Sequence, residues 1–197
     1  MDKRIFIIGQ DHLPERLCLE GGQSIQWTFV ALPGVSAEMS LQVDIEGEGC
    51  EVDIAGMYLC KGSETLSINM NVRHNAGGSV SHQLFKGILD GKSKVSFDGL
   101  IYVRKDSQKT RASQECRTIL LSRDALISTR PQLEIYADDV ECSHGAVSGF
   151  LSEDELFYMR SRGIPEDQAR RLQMISFLSP VLQRLPLEMQ EGIITRL

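Results

Sequence analysis

The sequence predicts an α+β chain, mainly β, with its strands first and a small helical appendage last. Three observations carry this. Apolar and polar residues alternate with period two from about Ser24 to Phe150. Glycine-rich and polar clusters punctuate that stretch, and nothing helical interrupts it. After Phe150 the apolar spacing becomes that of amphipathic helices. The chain therefore divides into residues 1–150, a strand unit, and residues 151–197, a helical one.

Taken in order, Leu41, Val43 and Ile45 alternate first, then Val52 and Ile54. Leu66, Ile68, Met70 and Val72 follow, then Val95, Phe97, Ile101 and Val103, and finally Leu133, Ile135 and Ala137. Each set marks a strand with one buried face. The breaks read EGEG, CKGSE, NAGGS, LDGKS and RKDSQ. VDIAGMYLCKGSET from Val52 is echoed by VSFDGLIYVRKDSQ from Val95, 43 residues on. Gly56, Gly87 and Gly99 each precede apolar residues and read as corners. Short strands with repeated glycine corners suit a solenoid of stacked rungs. An antiparallel sandwich would give a similar pattern, and periodicity alone does not separate the two.

Ser152 with Glu155 three residues on predicts a capping box opening a short helix. Gly163 ends it, with acids in its first turn and arginines in its last. Pro165 at a first helical position opens a second helix. Its apolar face runs through Ala169, Leu172, Ile175, Phe177, Leu178, Val181, Leu182 and Leu185. Pro180 is expected to kink or end it. A last amphipathic piece spans residues 187–197.

A chain of 197 residues buries a full core. Its net charge of −6 argues against nucleic acid as main partner, since a phosphate backbone wants a basic face. The opening MDKRIFIIGQDHLP is no signal peptide, no segment suits a membrane span, and no polybasic patch is present. Five cysteines, an odd number with no C-x-x-C pair, predict reduced thiols in a cytoplasmic protein. There is no P-loop and no nucleophile elbow.

The stretch PQLEIYADDVECSHGAVSGF gathers the candidate chemistry. Cys142 and His144 are two apart, so in a strand both point to one face, and thiolate and imidazole both bind iron or zinc. The alternative is a histidine hydrogen-bonded into the end of the sheet and a buried cysteine. Asp138, Asp139 and Glu141 read as a polar turn, His74 and His82 as loop and strand-surface residues, and Cys50, Cys60 and Cys116 as core.

VRHNAGGSVSHQLFKGIL, RPQLEIYADDVECSHGA and DELFYMRSRGIPEDQAR occur in that order. Together they resemble the C-terminal half of the SufB/SufD scaffold proteins of iron–sulfur cluster assembly, SufD more than SufB. The resemblance runs from Leu41 to Leu185. It implies a right-handed parallel β-helix over residues 1–150 and decides for the solenoid. It also implies a non-catalytic scaffold whose C-terminal helices dock an ABC-type ATPase of the SufC kind, and which pairs through its β-helix with a SufB-like partner or a second copy. On this footing the ATPase-facing residues are Phe157, Tyr158, Met159, Arg160, Arg162 and Gly163. His144 is the candidate for iron or a transient Fe–S cluster, with Cys142 a weaker second. No tightly bound cofactor is expected.

Two departures stand out. Family members carry an N-terminal helical region and a longer β-helix. A shortened β-helix would leave its first rung open, and a homodimer is the simplest cover. Ala125 takes the place of a SufB-type cysteine, and Gly145 that of the SufB acid after the histidine. A degenerate interaction module that keeps the ATPase contact without handling metal is therefore the rival reading. A β-helix polysaccharide hydrolase or lyase is a remote one, since the acids cluster at one end and few aromatics are present to stack sugars.

Overall fold

The computed structural model describes residues 1–197. The strands wind in coils of two. The first coil is β1 (Asp2–Ile7) and β2 (Arg16–Leu19), the second β3 (Ser24–Ala31) and β4 (Ala37–Ile45), and the third β5 (Glu51–Cys60) and β6 (Thr65–His74). The fourth is β7 (Val80–Leu89) and β8 (Lys94–Val103), and the fifth β9 (Thr110–Leu120) and β10 (Leu126–Ile135). β11 (Val140–Gly149) begins a sixth. Odd strands form one sheet and even strands the other. Every ladder is parallel. A parallel β-solenoid is thus the fold, and the antiparallel sandwich is excluded.

Both Glu51–Val80 and Thr65–Lys94 are register pairs 29 residues apart, so one central coil takes 29 residues. The 43-residue echo is therefore not the coil. Val52 lies in β5 and Val95 in β8, in opposite sheets. The echo reflects two strands meeting the same two-sided burial, not equivalent rungs.

Inward side chains stack as ladders between the sheets. Trp27, Phe29, Leu41, Val43, Ile54, Ile68, Met70, Phe85 and Phe97 form one dry cluster. The turn glycines do their expected work: Gly62, Gly78 and Gly91 have positive φ. Gly56, Gly87 and Gly99 do not. They sit inside strands, where a methyl would collide with the Phe85 ring, the Tyr58 ring and the Gln114 amide respectively. They are openings for large side chains crossing the interior, not corners.

Helices α1 (Glu153–Ser161), α2 (Glu166–Leu182) and α3 (Leu187–Ile194) follow. The Ser152 hydroxyl accepts the Glu155 N–H at 3.3 Å, and Gly163 turns out of α1 with φ of 86°. Pro165 is the cap before α2 rather than its first residue, and Pro180 falls in the last turn, two residues before the end. The helices cover the outer face of the odd sheet. Leu156, Ala169, Met174, Leu178, Val181 and Leu182 pack with Val30, Ala55, Met57, Leu59 and Ile88. This explains why β5 is buried on both faces from Ile54 to Cys60. Three polar ties hold the layer: Lys86 Nζ donates to the Phe177 carbonyl at 2.7 Å, Arg184 pairs with Asp53 at 2.8 Å, and Lys61 Nζ donates to the Arg196 carbonyl at 2.7 Å. No helix is long and apolar enough to cross a membrane.

Candidate functional site

The last coil is open. β11 pairs only with β9, and β10 only with β8. Residues whose counterparts are buried one coil below are here exposed or half-buried. Pro131 stands mid-strand in β10, a position that an edge strand tolerates because one side of its backbone has no ladder to lose.

The register fixes where the candidate residues stand. Cys142 lies over Ala112, His144 over Gln114 and Ala146 over Cys116. Ala112, Gln114 and Cys116 are buried inward residues, so Cys142 and His144 share the inward face at the open end. Cys142 is half-buried against Ile101, Val103, Ala112 and Ala137. That burial pushes its thiol above the ordinary range, against a smaller opposing effect of a backbone hydrogen bond with Ala112. A thiol kept neutral is a poor ligand until a metal displaces its proton. His144 is exposed. No group of three His, Cys, Asp or Glu side chains converges anywhere in the chain to hold a metal ion. The two residues can supply a thiol and an imidazole from one face, and any further ligand has to come from outside the chain.

Ala125, immediately before β10, is 3% exposed in the main core. Its methyl is a packing group. Asp138 and Asp139 lie in the β10–β11 turn, where the Lys109 N–H donates to the Asp139 carbonyl at 2.6 Å. Glu141 is exposed at the start of β11. His82 is a half-buried strand residue whose Nδ1 meets Ser113 Oγ at 2.7 Å. His74 overturns its expectation. It is not a loop residue but the last residue of β6, 0% exposed, with Nε2 at 2.8 Å from Ser81 Oγ. The polar NAGGS that follows hid the inward turn of the residue before it.

A second surface lies on the helices. Phe157 and Tyr158 are 74% and 59% exposed, whereas Met159 is partly buried against the helix–sheet cluster. Arg160 pairs with Glu166 at 3.3 Å, and Arg162 stacks on the Tyr158 ring at 5.1 Å. Gly163 completes the exposed turn after α1. A groove between α1 and α2 is lined by Asp154, Glu155, Tyr158, Met159, Leu172 and Gln173, among others. Leu172, on the apolar face read from the sequence, is half exposed, because the buried face of α2 is rotated onto Gln173 and Met174. Gln173 Nε2 donates to the Ser152 carbonyl at 3.0 Å and so ties α2 to the start of α1. The polar identity of Gln173 concealed this in the sequence.

The profile described as "SUF system FeS cluster assembly, SufBD core domain" matches residues 14–177. The chain is 32% identical to iron–sulfur cluster assembly protein SufD of Escherichia coli over 86% of its own length and 40% of that protein. It is 33% identical to an iron–sulfur cluster assembly SufBD family protein of Synechocystis over 92% of its length and 40% of that protein. It is also 33% identical to protein ABCI7, chloroplastic, of Arabidopsis thaliana, over 82% of its length and 37% of that protein. The chain spans about 40% of the length of these three relatives. With that match and this parallel solenoid, the chain belongs to the SufBD core family of the SUF iron–sulfur cluster assembly system.

Proposed function

We propose that the chain is a non-catalytic scaffold component of iron–sulfur cluster assembly. It docks an ABC-type ATPase of the SufC kind through α1 and α2, and pairs through its solenoid with a SufB-like partner or a second copy. The observation that carries the docking is the apolar surface of α1. Phe157 and Tyr158 are large, exposed and adjacent, and Leu172 and Met159 continue them across a groove. Exposed aromatic surface flanked by arginine is what protein interfaces are made from. The open last coil supports pairing, because β10 and β11 carry one unpaired ladder edge each.

Cys142 and His144 then stand at the pairing end, facing whatever covers it. Iron or a transient Fe–S cluster is the cargo, held by His144 with a partner completing its ligands. Two observations favour the rival reading of a module that binds the ATPase and handles no metal: no third ligand joins the pair, and Ala125 is a buried methyl.

Co-purification with the cognate ABC-type ATPase tests the docking. Removing the helices is unsuitable, because Ala55, Met57 and Leu59 would lose their cover. Phe157→Ser with Tyr158→Ser alters only exposed side chains and is expected to abolish co-purification. Iron retained after reconstitution, with and without His144→Ala, separates the cargo-handling scaffold from the metal-free module.

A further inference from the structure

The groove between α1 and α2 carries charge of one sign. Asp154 and Glu155 line it from the first turn of α1, and no lysine, arginine or histidine joins them there. Both side chains are exposed, and neither carboxylate pairs with a base of this chain. The arginines closest in sequence are engaged elsewhere: Arg160 with Glu166, and Arg162 on the Tyr158 ring. Beside the acids, Met159 and Leu172 give the groove apolar walls.

Gln173 adds a second signal, from the other helix. It lines the groove and is 8% exposed, its Nε2 donates to the Ser152 carbonyl, and its Oε1 has no partner. With the nitrogen committed, the oxygen is the atom left for a donor. The groove thus offers two carboxylates and an unpaired amide oxygen, with hydroxyls on Tyr158 and Ser176 that also accept. Its volume of about 560 Å³ admits a side chain together with the backbone that carries it.

We infer that this groove takes a lysine side chain of the docked ATPase, its stem along Met159 and Leu172 and its ammonium at Asp154 and Glu155. The inference rests on the docking proposed above and names what the partner brings to it. A lysine buries its methylene stem on apolar surface and keeps its charged head at the polar rim. Its three N–H donors match the two carboxylates and the Gln173 oxygen. Two features favour lysine over arginine. Successive helix residues point about 100° apart, so Asp154 and Glu155 offer separate acceptors and not the single planar edge that a guanidinium pairs with. The Tyr158 ring, on which an arginine would stack, already carries Arg162.

The test titrates the full chain with a purified ABC-type ATPase of the SufC kind at about 0.1 M and about 1 M salt, between which the screening length falls from about 10 Å to about 3 Å. Asp154→Asn with Glu155→Gln keeps both volumes and removes both charges, and a retained melting temperature shows the fold intact. At low salt the double variant is expected to bind about three- to tenfold more weakly than the wild-type chain, the effect of two exposed ion pairs. Most of the salt dependence should go with it. A carbodiimide, which joins a carboxylate to an amine, is expected to couple Asp154 or Glu155 to a lysine of the ATPase, located by peptide mass spectrometry. Equal affinity of the two chains at both salt concentrations, or coupling only through carboxylates outside the groove, overturns the lysine assignment and leaves docking through α1 standing. A wild-type chain that binds no ATPase removes the docking itself, and this inference with it.

Discussion

The Tyr58 ring lies against Gly87 in the next coil, and its hydroxyl reaches Thr118 Oγ1, two coils on, at 2.6 Å. One side chain thus ties three coils together through a gap that only glycine leaves. Gly87→Ala is expected to destabilise the chain by about 3 kcal/mol, since the added methyl overpacks a buried ring. Tyr58→Phe keeps the ring, leaves the Thr118 hydroxyl unpaired and should cost about 1 kcal/mol. Urea unfolding of both variants checks the order.

His74 makes stability depend on pH. Burial lowers its pKa from 6.5 to about 4. The folded chain therefore keeps a neutral imidazole where the unfolded chain takes up a proton. Stability is complete above pH 6.5 and falls as pH drops toward 4, by about 3 kcal/mol at most. His74→Gln should flatten the difference between unfolding free energies at pH 7 and pH 4 relative to the wild-type chain.

Lys86 anchors α2. It is 9% exposed, donates to the Phe177 carbonyl and lies 4.6 Å from the Phe177 ring. Burial, with the nearby Arg117 charge as a smaller cause, lowers its pKa. Lys86→Met keeps the stem and removes the charge-assisted bond, a loss of about 2 kcal/mol. Faster amide exchange confined to α2 is the expected signature, and uniform acceleration across the solenoid would show that the anchor is not local.

Pairing through the last coil is checked by mass in solution. Val147 on β11 is 66% exposed, and Leu126 on β10 is 55% exposed. Val147→Lys with Leu126→Lys places charge on both edges, which natural edge strands use to prevent pairing. Sedimentation of the wild-type chain, alone or with a SufB-like partner, should give a dimer and the variant a monomer.

Most of the fold was legible because burial repeats. β4, β5, β6 and β8 carry apolar residues at nearly every second position, and their alternation names the buried face directly. β9 escaped notice because its inward residues are Thr110, Ala112, Gln114, Cys116 and Thr118, small or polar groups filling space left by Gly99, Gly87 and the Tyr58 ring. β1 and β2 escaped too, being short and largely exposed. Parallel winding was not in the periodicity at all. It came from the family resemblance, because a period of two records a face and not a partner. At the site, the spacing of Cys142 and His144 gave their common face. Their place at an open end depends on what stacks above β11, which no local pattern reports.

Calorimetric titration of the wild-type chain with an ABC-type ATPase of the SufC kind reads the proposed docking through α1 directly. Saturable binding is expected, weakened at least tenfold by Phe157→Ala with Tyr158→Ala, since exposed aromatic anchors of this kind contribute about 2 kcal/mol or more each at an interface. Unchanged affinity in that double variant, with the fold intact, would place the contact elsewhere and contradict docking through α1.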